Sequence, residues 1–180
     1  MIDYNIFDPQ VSSPLKELTR EAAIDHFNLF VESFEIRMEE LNKIFSKFNV
    51  KMDFSYESIC RIDALFDQLV FMNPNIHNEL DGITFSICND LSIYVGEFLH
   101  KNCDSVKWIM MKRQKDISYQ RPVLGHFPKP MFPNQYLDLD LIFCQYAYRI
   151  LRNKQIENNE IKKITDFGLR LCGVKAQSLK

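Results

Sequence analysis

Glycine is scarce in this chain of 180 residues, at five, and none of the five falls in a GxGxxG or GxxxxGK[ST] string. Loops that cradle nucleotide phosphates need backbone without a Cβ at set spacings, so a nucleotide-binding fold built on such turns is excluded. Cysteine is also sparse. Cys60, Cys88, Cys103, Cys144 and Cys172 are an odd number, widely spread and without a CxxC, which excludes a disulfide framework and a zinc ribbon. The four histidines, His26, His77, His100 and His126, stand alone, with no HxxxH or HExxH, so spacing offers no metal site and no cofactor is expected. No run approaches 18 apolar residues, and the opening MIDYNIFDPQ lacks the basic start and apolar core of a signal peptide. These absences lead to the expectation of a cytoplasmic protein with reduced thiols and no membrane partner.

Aromatic residues are abundant by contrast. With 15 Phe, 7 Tyr and one Trp they make up 13% of the chain, enough to fill a core between helices with few aliphatic residues. The net charge of −2 conceals a division. Residues 1–100 hold 7 Lys or Arg against 17 Asp or Glu, a balance of −10, and residues 101–180 hold 15 against 7, a balance of +8. Two readings follow: the halves neutralise each other across the core, which we take first, or each half presents a charged face to a partner.

Taken in order, residues 1–12 read as an extended arm. Ser12 or Ser13 caps a helix with Pro14 in its first turn, the one helical place where proline's missing N–H costs nothing. Phe27, Phe30, Val31, Phe34, Met38, Leu41, Ile44, Phe45 and Phe48 then fall at steps of three and four. This predicts one amphipathic helix to Phe48, breaking once near Thr19, with Glu32, Glu35, Glu39 and Glu40 on its wet side. Its length leaves room for a second copy of the chain to dock. Ser55 and Glu57 open a second helix with Ile59, Ile62, Phe66 and Leu69 inward, stopped by Asn73-Pro74 ahead of a loop with His77.

Asp81-Gly82 starts a central helix, with Ile87, Leu91, Tyr94, Val95, Phe98 and Leu99 as its stripe. Gly96 lies within it, and a helix tolerates such a glycine best where another backbone comes close. The pattern then turns strand-like at Val106–Lys112 and again at Tyr119–Leu124, joined by the polar stretch 113–118, and Pro122 requires an edge or a bulge. Three prolines between Pro128 and Pro133 mark a surface crossover. Two helices close the chain. Leu137, Leu141, Cys144, Tyr148 and Leu151 line one, with Asp138 and Asp140 in its opening turn. Ile161, Ile164, Phe167 and Leu171, with Leu169 as a further candidate, line the other, and Gly173 ends it before a basic tail over 174–180. The whole predicts one α+β domain over 1–180, predominantly α: five or six helices with a small antiparallel hairpin near residues 105–125.

No catalytic string emerges. Asp138 and Asp140, two apart, are read as pointing to different helix faces and so as a poor carboxylate pair. Lys107, Lys112, Arg113, Lys115 and Arg121 cluster in sequence with Trp108 and Tyr119, the mixture of cations and aromatics that suits phosphate contacts and base stacking. The pI of about 6.1 speaks against a nucleic-acid domain. An enzyme remains conceivable only if distant groups such as Glu97, His100 and His126 meet in one pocket; the plainer reading pairs Glu97 with Lys101 at i+4.

The stretch MDFSYESICRIDALFDQL, then LSIYVGEFLHKN, then VKW resembles a group of uncharacterised bacterial proteins. Asp53, Ser55, Ser58, Ile59, Ile62 and Asp63 carry it, followed by Tyr94, Val95, Gly96 and Glu97 and by Trp108. The resemblance implies no activity, but agrees that Gly96 and Trp108 belong to one packed unit. The leading functional expectation is a non-catalytic module that binds another protein, an immunity or antitoxin-like role being one form of it. Nucleic-acid or anion binding through the basic hairpin is the alternative.

Overall fold

The computed structural model describes residues 4–71, 79–152 and 159–175. A 3-10 turn, Leu15–Glu17, precedes α1 (Arg20–Glu32) and α2 (Phe34–Phe45). There follow α3 (Tyr56–Phe71), α4 (Gly82–Asn102), β1 (Lys107–Met110), β2 (Pro122–Gly125), α5 (Leu139–Leu151) and α6 (Glu160–Cys172). Six helices and one antiparallel pair make the fold α+β and predominantly α, as the periodicities predict. The Asn73-Pro74 stop, the His77 loop and the tail beyond 175 lie outside the described residues.

α4 is the axis. Asp81 caps it by accepting from the Thr84 N–H at 2.7 Å, and α2, α3, α5 and α6 all pack on it. The six stripe residues are buried as expected, but so are Ser86, Asp90 and Ser92. The helix is enclosed nearly all round, so its apolar stripe understates its burial. A Cβ on Gly96 would lie 2.2 Å from Cζ2 of Trp108. The close neighbour is thus an indole ring, where the sequence suggested a backbone.

The buried Asp90 takes a partner from α2. Arg37 donates to it through Nε at 2.8 Å and Nη2 at 2.7 Å, and Tyr4 donates its hydroxyl to Oδ2 at 2.7 Å. Arg37 also reaches the Asn5 carbonyl, and Asn5 in turn donates to Glu40. Glu40, placed on the wet side by sequence, is therefore buried, because the segment around Tyr4 covers that face of α2. The buried pair of Arg37 with Asp90 and the half-buried cluster of Arg121 with Asp138 and Asp140 each join residues of one half of the chain. Neutralisation of the acidic half by the basic half is not how these charges are settled.

Three helical readings are corrected. The single helix expected to Phe48 is interrupted at Ser33, whose hydroxyl donates back to the Phe30 carbonyl at 2.7 Å. The break expected near Thr19 is present, with Thr19 as the N-cap of α1, but the helix expected from a Ser12 or Ser13 cap is only a short 3-10 turn that follows Pro14 and has no side-chain cap. In α5 the buried face is Leu139, Phe143, Cys144, Tyr146, Ala147 and Ile150, turned from the predicted stripe because the helix starts at Leu139 and lies between α3 and α4. The predicted caps at Ser55 and at Gly173, left-handed at φ 77°, are both present.

The hairpin pairs Lys107 with Gly125, Trp108 with Leu124, Ile109 with Val123 and Met110 with Pro122. Beyond the pair, Gln120, at φ 65°, donates its N–H to the Met111 carbonyl, and Met111 donates to the Arg121 carbonyl. That is the bulge Pro122 required, one residue away. Leu124 exchanges both backbone hydrogen bonds with Leu137 on the far side of β2.

Candidate functional site

Between α1 and the hairpin lies a cleft of about 610 Å³. α1 contributes Arg20, Ile24 and Phe27, one helical turn apart on its outer flank, and the hairpin contributes six consecutive residues, Trp108–Arg113. Gly125, His126 and Asn134–Tyr136 close the far wall. His126 and Asn134 adopt left-handed φ of 62° and 57°, which folds the segment after β2 back toward the cleft. Gly125 leaves room for Ile109, since a Cβ there would meet Ile109 Cδ1 at 2.5 Å and the isoleucine side chain would have to shift.

The lining carries Arg20, Lys112, Arg113 and His126 and no carboxylate, over a floor of Ile24, Phe27, Trp108 and Ile109. In a chain of net charge −2 this separation is pronounced. Arg113 is held in place by Asp116 at 3.1 Å and lies 5.5 Å from the Tyr136 ring centroid. Tyr136 donates its hydroxyl to the same Asp116, whose carboxyl these contacts hold below the usual range although partial burial opposes it. For Arg20 and Lys112 no ion pair is found among the described residues. Arg20, Lys112, Arg113 and His126 are exposed at the rim, so an anion could approach all four while its apolar part settles on the floor.

The sequence-derived candidates are thus divided. Trp108, Lys112, Arg113 and His126 line the cleft, whereas Lys107 and Lys115 are exposed but outside its lining. Glu97 accepts the Trp108 indole N–H at 3.1 Å, which fixes the ring. Lys101, expected to pair with Glu97, instead sits 3.4 Å above the Phe54 ring. His100 bonds the Val106 carbonyl through Nδ1 at 2.7 Å, locking the connection from α4 to β1. Of that trio only His126 lines the cleft.

Arg121 goes elsewhere. It donates to Asp138 through Nε and to Asp140 through Nη2, both at 2.7 Å. The two carboxylates converge because Asp138 is the N-cap of α5, outside the helical geometry that separates i from i+2. Although burial works against its charge, both acids keep Arg121 ionised. It borders a second cavity of about 480 Å³ beneath the N-terminal segment, with His26, Phe30, Ser86, Asn89 and Asp140. Burial lowers the His26 pKa, against the pull of the Pro9 carbonyl that its Nδ1 bonds. Ser86 is taken by Tyr4, Phe7 and Arg37, and Arg121 by its two acids. The polar groups of this cavity serve one another, whereas those of the α1–hairpin cleft face outward with charge to spare.

Sequence reading missed Arg20, Ile24, Phe27 and Tyr136. The α1 contribution had a signal: Arg20, Ile24, Phe27 and Val31 form a second stripe, which the stronger stripe from Phe27 to Phe48 concealed. Tyr136 had none. Among the described residues no group of three or more potential metal ligands occurs, and no helix is long and apolar enough to cross a membrane. Residues 19–141, from the α1 cap through the hairpin into α5, match the family model described as Uncharacterised protein YwmA. No curated protein and no solved structure matches the chain.

Proposed function

The chain belongs to the YwmA family, which carries no activity in its description, and from the cleft itself we propose a non-catalytic binding module that receives an anionic partner with apolar character between α1 and the hairpin. One observation carries this reading: a cleft of about 610 Å³ whose charged lining is cationic throughout and whose floor is aliphatic and aromatic. Charge at the rim favours encounter with an anion, and the apolar floor supplies contact area once water is displaced. The nucleic-acid form of this reading loses Arg121, which is bound inward, and a cleft of this size suits a side chain or short segment better than a phosphate backbone.

An aromatic sulfonate, 8-anilinonaphthalene-1-sulfonate, is a suitable probe because it joins an anion to an apolar body. Its fluorescence should rise on binding, quench Trp108, and weaken as ionic strength exceeds about 0.1 M. In the double variant Arg20→Glu, Lys112→Glu, affinity should fall by about tenfold or more, while circular dichroism stays unchanged because both side chains are exposed. Equal binding to the parent and the double variant would overturn the proposal.

A further inference from the structure

The cleft is also the open side of a sheet, and the register of the hairpin shows which backbone groups face it. In an antiparallel ladder each residue's N–H and C=O point to the same side, alternating along the strand. Leu124 spends both of its groups on Leu137, so it cannot bond Trp108, its partner in register. The pairs bonded across the hairpin are then Lys107 with Gly125 and Ile109 with Val123. Pro122, opposite Met110, has no N–H to give and fits the same parity. Met111 bonds Arg121 and Gln120, continuing it. Trp108, Met110 and Lys112 therefore turn their N–H and C=O groups away from β2, and no hydrogen bond to any of these groups occurs among the described residues.

Resting on the anion-receiving cleft, we infer that its occupant is an extended acidic segment of a partner protein, which adds to β1 as a third strand. Three observations converge. The open edge from Trp108 to Lys112 spans about 13 Å and offers donors and acceptors at alternate residues. Ile24 and Phe27 of α1 stand beside the edge to take apolar side chains, and Trp108–Arg113 all line one continuous cleft. Cations without an ion pair among the described residues flank the edge at Arg20 and Lys112, so acidic residues in the incoming strand are neutralised. The same charges argue against a second copy of this chain at this edge, because β1 paired with β1 would set Lys107 and Lys112 against their own kind.

The probe is a blocked heptapeptide of alternating glutamate and valine, EVEVEVE, with two companions N-methylated either on the valines or on the glutamates. Amides of one set face β1 in a docked strand and amides of the other face solvent. The parent peptide should bind the full-length protein, and nuclear magnetic resonance should shift the amide signals of Trp108, Met110 and Lys112. One methylated companion should lose at least about tenfold in affinity, as expected for several lost backbone hydrogen bonds, while the other binds within about twofold of the parent. Equal affinity of both companions would overturn strand addition while leaving the anion-receiving cleft intact. The same holds if the aromatic sulfonate binds and the peptide does not. If neither binds, the cleft reading and the strand reading fall together.

Discussion

Replacing Gly96 by alanine tests the packing that holds the hairpin to the central helix. In an open helix interior the change should stabilise by about 1 kcal/mol. Here the new Cβ would fall 2.2 Å from Cζ2 and 2.9 Å from Cε2 of Trp108, so the indole must move. Its movement stretches the hydrogen bond to Glu97 and disturbs the edge-on contacts with Phe30 and Phe34, whose centroids lie 5.0 and 5.8 Å away. Overpacking of this kind costs about 1–3 kcal/mol, each aromatic contact contributes about 0.5–1.5 kcal/mol and the hydrogen bond about 1 kcal/mol. These terms overlap and the helix gain offsets part of them, leaving a net loss of about 2–3 kcal/mol, or a Tm lower by roughly 5–10 °C. Urea denaturation followed by tryptophan emission reads the effect at its source, because Trp108 is the only tryptophan. Gly82→Ala is the control: its Cβ would meet only Ile6 Cδ1, at 3.7 Å, and the variant should be neutral or slightly more stable. If Gly96→Ala matches the parent in both midpoint and emission maximum, the argument from the indole contact is refuted.

Asp63 is buried, accepts the Ile161 N–H at 3.1 Å and leaves Oδ2 without a partner among the described residues. Burial pushes its carboxyl up to about 6, against the pull of the α6 N–H groups. A carboxyl raised in the folded state stabilises most below its unfolded pKa, so stability should decline by up to about 3 kcal/mol as pH rises from 4 through 6. Asp63→Asn, which keeps the acceptor for Ile161, should flatten that slope in urea titrations at several pH values, and an unchanged slope would exclude this group as its source. Arg37→Ala strands the fully buried Asp90 and should cost about 3–5 kcal/mol; a loss below about 1 kcal/mol in the same assay would show that the pair is dispensable. Tyr94→Phe deprives the Phe54 N–H of its acceptor at 2.9 Å and Ser58 Oγ of a partner at 2.6 Å. It should lower stability by about 1–2 kcal/mol, and no change in the urea midpoint would count against that buried pair.

The sequence alone determined those features whose causes lie within a few residues. The caps at Ser55 and Asp81, the glycine stop at Gly173 and the period-three-and-four stripes of α3 and α4 are written in side chains that act on their own backbone. The shift to β-branched and aromatic residues after Cys103 likewise placed the hairpin, and Pro122 announced its bulge. Tertiary structure alone decided what depends on how elements meet. Arg121 was counted as a free cation until Asp138 and Asp140 closed on it, and Glu40 as solvated until the segment around Tyr4 covered it. The cleft joins Arg20, Ile24 and Phe27 to a strand more than 80 residues later in the chain. No local pattern can encode that meeting, because it follows from α2, α3, α5 and α6 packing around α4, which leaves α1 to pack against α2 and β1 instead, with the cleft between it and the hairpin.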